Sequence, residues 1–194
     1  MTDPESVTAL RHALTLTEEG RRCFPCLRDK RPATPNGFKN AHNDADVLRE
    51  LWRRYPGPLV GVATGVASDF DVLDLDAKHP EAATWWAANR SRLPRTRMHR
   101  SRSGGLHLFF EHAENIRSTA SKIAPGVDTR GDGGYVIWWP AAGVPVLCDA
   151  PPARWPAWLL AELQPAPAQL EKSRVIIPDE RALRALVRIV AGAS

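Results

Sequence analysis

The chain has 194 residues, enough for one sizeable domain and too few for two full ones. Hydrophobic residues make up 43% and charged residues 25%, close to the averages for globular proteins, which excludes disordered, collagen-like and fibrous classes. Lysine and arginine number 26 against 22 acidic residues, a net charge of +4 that suits a nucleic-acid partner and does not by itself establish one.

The opening Met-Thr-Asp-Pro-Glu has neither the basic nor the apolar region of a signal peptide, and no apolar run approaches the roughly 18 residues of a membrane span. Three cysteines, Cys23, Cys26 and Cys148, form an odd set that builds no disulfide framework. The expectation is a cytoplasmic protein with no membrane partner. Cys23 and Cys26 have the spacing of half a zinc site, but no second close pair of Cys or His follows, so a partly buried strand is expected there.

Seventeen prolines, against about ten from average usage, cut the chain into short elements. A helix is expected from Asn43 to Tyr55, capped by Asn43 or Asp44, with Leu48, Leu51, Trp52 and Tyr55 on one stripe. Strands follow at Leu59 to Thr64 and Asp71 to Asp76, then a helix from Pro80 to Leu93. Two runs, TRMHRSR from Thr96 and GLHLFFEH from Gly105, read as a hairpin across Ser103, Gly104 and Gly105. YVIWW, Tyr135 to Trp139, reads as a strand after the glycine-rich GVDTRGDGG and is stopped by Pro140. On parity, Trp138 is assigned to the core with Trp85 and Trp86, and Trp139 to the exposed side. A short helix is expected near Trp158 to Leu163, ending a domain over 1–164. A Pro-rich linker and a C-terminal helix, with Leu183, Leu186, Val187 and Val190 on one stripe, are expected over 165–194.

Asp74 and Asp76 lie two apart in a strand, so both carboxylates project from one face. Two carboxylates that close repel each other without a cation, and a hard divalent ion such as Mg²⁺ or Mn²⁺ resolves the repulsion. A bare Asp-x-Asp also fits solvent-facing charges at a strand end. Asp69 and Asp71 sit in the turn and at the start of the strand, where aspartate is common for backbone reasons. In SRSGGLHLFF, Gly104 and Gly105 let the backbone approach a ligand, and His107 shares a face with Phe109. His107 is either a phosphate-binding group or a hydrogen-bonded structural histidine. Asp128 and Arg130 alternate out of GVDTRGDGG, which brings a third carboxylate and a guanidinium toward one site or simply shapes a hairpin.

The order GVATG, VLDLD, SGGLHLFF, GVDTRGDGGYVIWWP resembles the bifunctional primase–polymerase domain of the archaeo-eukaryotic primase superfamily. The resemblance covers roughly Gly20 to Pro140 and includes FPCLRDKRP, with its Lys before Pro, and GFKNA. It implies an α/β (α+β) fold: a primase-like catalytic core with a sheet of the RNA-recognition-motif type, acids on a strand face open to solvent, and a small N-terminal α/β part. It implies template-directed nucleotidyl transfer, as a DNA primase, a DNA polymerase or both, with two divalent metals held by Asp74, Asp76 and Asp128.

By the same resemblance His107 contacts the phosphates of the incoming nucleotide. Arg130, Lys30 and Lys39 would steady the triphosphate, and Ser103, Gly104 and Gly105 would lie against it. Arg97, Arg100 and Arg102, with Arg95 nearby, would bind the nucleic acid. The implied partners are single-stranded DNA template and primer, nucleoside triphosphates, and a helicase domain or subunit, in the replication of a mobile element. The chain departs from the family after its last strand, where Pro140-Ala141-Ala142-Gly143 stands in place of prolines leading to a serine. A Cys/His zinc stem, present in some relatives, is missing. A sugar-nucleotide transferase would share the Asp-x-Asp but leaves the histidine strand and the third aspartate unexplained. The alternative within the family is a non-catalytic or partner-dependent nucleotide- or DNA-binding module.

Overall fold

The computed structural model describes residues 3–164, so the linker and helix expected over 165–194 lie outside the described residues. Helix α1 (Pro4–Glu18) starts with Asp3 as N-cap, its side chain accepting from the Glu5 amide, and Pro4 in the first turn. It buries Ser6, Ala9, Ala13 and Leu16. Strand β1 (Cys23–Cys26) is a strand as expected for the cysteine segment, though fully rather than partly buried, and burial pushes the Cys23 thiol up to about 12. Helix α2 (Ala45–Arg54) is capped by Asp44, which accepts from the Asp46 and Val47 amides, and buries Leu48 and Trp52.

Two antiparallel sheets carry the rest, giving an α+β fold. Strand β2 (Leu59–Ala63) pairs with β1 on one side and with β8 (Tyr135–Ile137) on the other, making a three-stranded sheet. The larger sheet is built on β3 (Phe70–Leu75), which lies between β5 (Leu106–Glu111) and β7 (Val127–Arg130). Beyond β5 come β4 (Met98–Arg100) and the edge strand β9 (Val146–Cys148). Beyond β7 lies the other edge, β6 (Thr119–Ala124). The expected hairpin is β4–β5, with Met98 opposite Leu108 and His99 opposite His107.

Alternation along β3 divides its side chains between two cores. Phe70 and Val72 pack with Phe109, with Val60 and Val62 of the small sheet, and with α1 and α2. Leu73 and Leu75 face the other way. They pack with Leu108, Phe110 and Val127, with Ala82 of helix α3 (Pro80–Asn89), and with Leu159 and Leu163 of helix α4 (Ala157–Leu163). The first half of the Asp74 face is therefore covered, and the expectation of a face open to solvent is corrected: it opens only at its Asp74 end. The cover is the N-terminal part of the chain, whose apolar residues bury Phe70 and Val72.

Two sequence expectations change in detail. Strand β8 stops at Ile137, and Trp139–Ala142 forms a 3₁₀ turn. Strand parity does not run through that turn, so Trp139 is 2% exposed rather than exposed, and Trp138 is buried as well. Asp71 does more than begin a strand. It is fully buried, accepts from the Ala113 amide at 3.0 Å and the Trp155 indole N–H at 3.2 Å, and has His112 Nδ1 at 3.0 Å. Burial raises its pKa against the pull of those partners. No described helix is long and apolar enough to cross a membrane.

Candidate active site

Register places three of the expected residues in one row across the sheet. Asp74 on β3 stands opposite His107 on β5 and opposite Asp128 on β7. Directly paired residues of antiparallel strands share a face, so the three side chains converge by construction. They line a cavity of about 430 Å³ with Asp76, Arg130, Lys30, Ser101 and Ser103. The opposite wall comes from the small sheet and its loops, through Phe38, Tyr135, Ile137 and Trp139.

Arg130 Nη2 lies 2.9 Å from Asp128 Oδ2 and 3.4 Å from Asp74 Oδ2. The guanidinium thus bridges Asp74 and Asp128 and offsets part of their charge; it makes no ion pair with Asp76, the carboxylate expected to repel Asp74. Asp128 also accepts from the Ser121 amide at 2.7 Å, which is presented by a residue at φ +53°. Asp76 falls just past the end of β3; its amide bonds the Gly126 carbonyl, and its Oδ1 accepts from the Lys78 amide at 3.0 Å. It therefore reaches the cavity from a turn rather than from the strand, which ends at Leu75.

Asp74 and Asp128 supply oxygen donors suited to a hard divalent cation, and the Arg130 guanidinium already sits between them as a positive stand-in. Among the described residues no group of three or more acidic, His or Cys side chains closes into a ready cage. Mg²⁺ is usually held by one or two carboxylates together with substrate phosphates. The residues present fit such an ion.

His107 is 6% exposed, with Nε2 3.5 Å from Asp74 Oδ1 and Nδ1 buried without a hydrogen-bond partner. Burial holds its pKa below the ordinary histidine value; Asp74 opposes that shift, while Arg130 and Lys30 add to it. Burial thus favours the uncharged ring. Lys30, at φ +74°, is fixed by the Tyr135 hydroxyl donating to its carbonyl at 3.1 Å, and its ammonium stands 5.5 Å from the Trp139 ring centroid. Tyr135 in turn packs edge-on against Phe24 and stacks on Phe38.

Other expected residues lie elsewhere. Lys39 is exposed and does not line the cavity; its neighbour Phe38 does. Gly104, at φ +91°, forms the β4–β5 turn. A Cβ at Gly105 would meet the Leu75 carbonyl at 2.3 Å, so this glycine admits the end of β3 rather than a ligand. Of the basic trio, Arg97 pairs with Asp149 and lies over Trp138, and Arg102 lies over Trp139. Arg100, exposed, alternates with the buried His99 and so points to the other side of β4. Arg97 and Arg102 line different cavities. Ser101 was not expected at the site; its Oγ is 3.1 Å from Ser103 Oγ, and its extended segment before the glycine pair was the available signal. Tyr135 and Trp139 were missed because they belong to the facing sheet and its turn.

The sequence matches the family described as bifunctional DNA primase/polymerase, N-terminal, over residues 13–169, well over half of the chain. The chain belongs to this family. Among curated proteins none matches it. Membership in the bifunctional DNA primase/polymerase family carries a nucleotidyl-transfer role of the primase/polymerase type, with DNA and nucleotides as substrates.

Proposed function

We propose that this chain extends, begins, or both begins and extends DNA strands by template-directed nucleotidyl transfer in the cavity beside Asp74. One observation carries the reading: two carboxylates and a buried imidazole stand in register on one sheet face, opposite a lysine held over an aromatic ring. Asp74 and Asp128, with Asp76 at the rim, would hold Mg²⁺ or Mn²⁺. Such ions lower the pKa of a 3′-hydroxyl and offset charge on the departing pyrophosphate. His107 and Lys30 are placed to donate to phosphate oxygens, His107 through a ring nitrogen that has no other partner. Arg130, once its carboxylates take up a cation, is free to turn to the triphosphate. Ser103 lies close enough to the same wall to take part in that cradle.

The domain proposed for this work spans 1–164. The setting proposed with it, from the family resemblance, is replication of a mobile element alongside a helicase domain or subunit. Incubation with primed and unprimed single-stranded templates, labelled deoxynucleotides or ribonucleotides, and Mg²⁺, Mn²⁺ or chelator tests the reading. Incorporation that needs both template and metal is expected. Retained triphosphate binding with no incorporation on any template would favour the non-catalytic, partner-dependent module instead.

A further inference from the structure

A second cavity, about 330 Å³, lies beside Phe70, Phe109 and Trp138, away from the Asp74 cavity. Phe70 precedes Asp74 by four residues on β3, which separates the two places by about 13 Å at ~3.3 Å per residue. Two guanidiniums line this second cavity, Arg21 and Arg97, with side chains only 19% and 24% exposed. Each lies on an aromatic ring, Arg21 5.0 Å from the Phe70 centroid and Arg97 5.8 Å from that of Trp138. Arg21 also donates through Nη1 to the Ser68 carbonyl, which fixes the plane of its fork.

Arg21 is incompletely satisfied, and Arg97 is held by one exposed carboxylate. Arg21 Nε is buried with no hydrogen-bond acceptor, and the nearest Glu19 carboxylate oxygen is 4.0 Å away, outside hydrogen-bond reach. Burial lowers the Arg21 pKa; Glu19 and Asp69 oppose the shift and the Arg97 charge adds to it. The opposing carboxylates, Glu19 and Asp149, are 51% and 79% exposed. Well-solvated partners of this kind hold a guanidinium weakly and are readily displaced. Nothing in the nucleotidyl-transfer reading uses this pair of arginines together.

We infer that the cavity between Arg21 and Arg97 is a binding site for a phosphate group, which enters by displacing Asp149 from Arg97. Two planar forks on different supporting rings call for an acceptor with oxygens in several directions. Tetrahedral phosphate has them, whereas a planar carboxylate satisfies a single fork. The group belongs to a nucleic-acid backbone or to free phosphate.

Arginine side-chain ¹⁵Nε NMR spectra of the full chain, recorded while sodium phosphate is added against a sodium chloride control of equal ionic strength, read the site directly. The Arg21 and Arg97 signals should shift saturably with phosphate and not with chloride. Asp149→Asn, which removes the competing carboxylate, should lower the half-saturating concentration several-fold, and Arg97→Gln should raise it at least ten-fold. An oligothymidylate saturating the signals at a ten-fold lower phosphate-group concentration assigns the site to a nucleic-acid backbone; equal or weaker binding assigns it to free phosphate. Shifts that follow ionic strength alone, or curves unchanged by Asp149→Asn, overturn the inference. The same titration in Arg130→Ala, which removes a positive charge from the Asp74 cavity, should superimpose on the wild-type curve, whether or not the chain transfers nucleotides. A curve lost with Arg130 would mean that phosphate binds at the other cavity and would overturn the inference too.

Discussion

His107 stands directly opposite Asp74 in the ladder between β5 and β3, with Nε2 3.5 Å from Asp74 Oδ1. That separation is long for a hydrogen bond, so the imidazole is oriented by the carboxylate without being engaged by it. A buried ring with an unpartnered nitrogen carries a desolvation cost that a phosphate oxygen would relieve. His107→Ala and Arg130→Ala should each weaken triphosphate affinity by about ten-fold, the scale of one hydrogen bond to a charged group, and weaken DNA affinity much less. Calorimetric titration of each variant with nucleotide and with oligonucleotide checks this; equal losses for both ligands would assign these residues another role.

Asp74→Asn should reduce incorporation by about 100-fold or more, the scale seen when one charge-stabilising group is removed from a reacting centre. Its effect on folding should be small. Arg130 is one-third exposed and keeps Asp128 as a partner at 2.9 Å, so the forfeited attraction is worth up to ~1 kcal/mol, or a few degrees in Tm. Primer extension and thermal melting of the same preparation measure the two effects. Incorporation near the wild-type rate would remove Asp74 from the site.

His99 sits one step along the same row, wholly buried, 4.5 Å from the Phe109 ring and 4.7 Å from the Trp138 ring, with both ring nitrogens unpartnered. Burial first, then the Arg97 charge and His107, brings its pKa down to about 3. The unfolded chain therefore binds the proton first, and this residue's contribution to stability is full above pH ~6.5 and is lost as pH falls toward 3. His99→Phe should raise stability at pH 7 by about 1 kcal/mol or more, since it removes two unsatisfied polar atoms. It should also flatten the decline between pH 6.5 and 4. Urea unfolding at several pH values decides the point, and parallel pH profiles for variant and wild type would refute it.

Charge reversal at Arg100 and Arg102 together should reduce the salt dependence of single-stranded DNA binding, by a log–log slope of about 0.7 for each phosphate that the arginines no longer neutralise. Nucleotide affinity without DNA should stay the same. An unchanged slope would place the DNA away from this end of β4.

The row of Asp74, His107 and Asp128 was legible because strand alternation is a strict period of two and neighbouring strands share it. The 3₁₀ turn at Trp139 broke the same rule, and no periodic signal announces where a strand gives way to a turn. Helix α1 escaped notice because its buried stripe is Ser6, Ala9, Ala13 and Leu16, too small and mixed to form an apolar pattern. Strand β6 alternates little between buried and exposed positions, and its sequence carries no signal of an edge strand. The second role of Gly105 depended on the Leu75 carbonyl, thirty positions earlier in the chain, which only the fold brings close.

The bond from Trp155 to Asp71 fixes how far the chain can be trimmed. Ala153 lies in the same stretch, taking the Glu111 amide at 2.9 Å and donating to Thr96 Oγ1 at 2.9 Å. A fragment cut before this stretch would keep every strand of the β6-to-β9 sheet in its sequence. It would nonetheless leave a carboxylate in the middle of that sheet stripped of its indole donor, with the Trp155 ring no longer stacked 4.3 Å from Phe110. The smallest fragment that folds thus runs past the last strand to Trp155, and past it through α4, whose Leu159 and Leu163 share the core with that tryptophan.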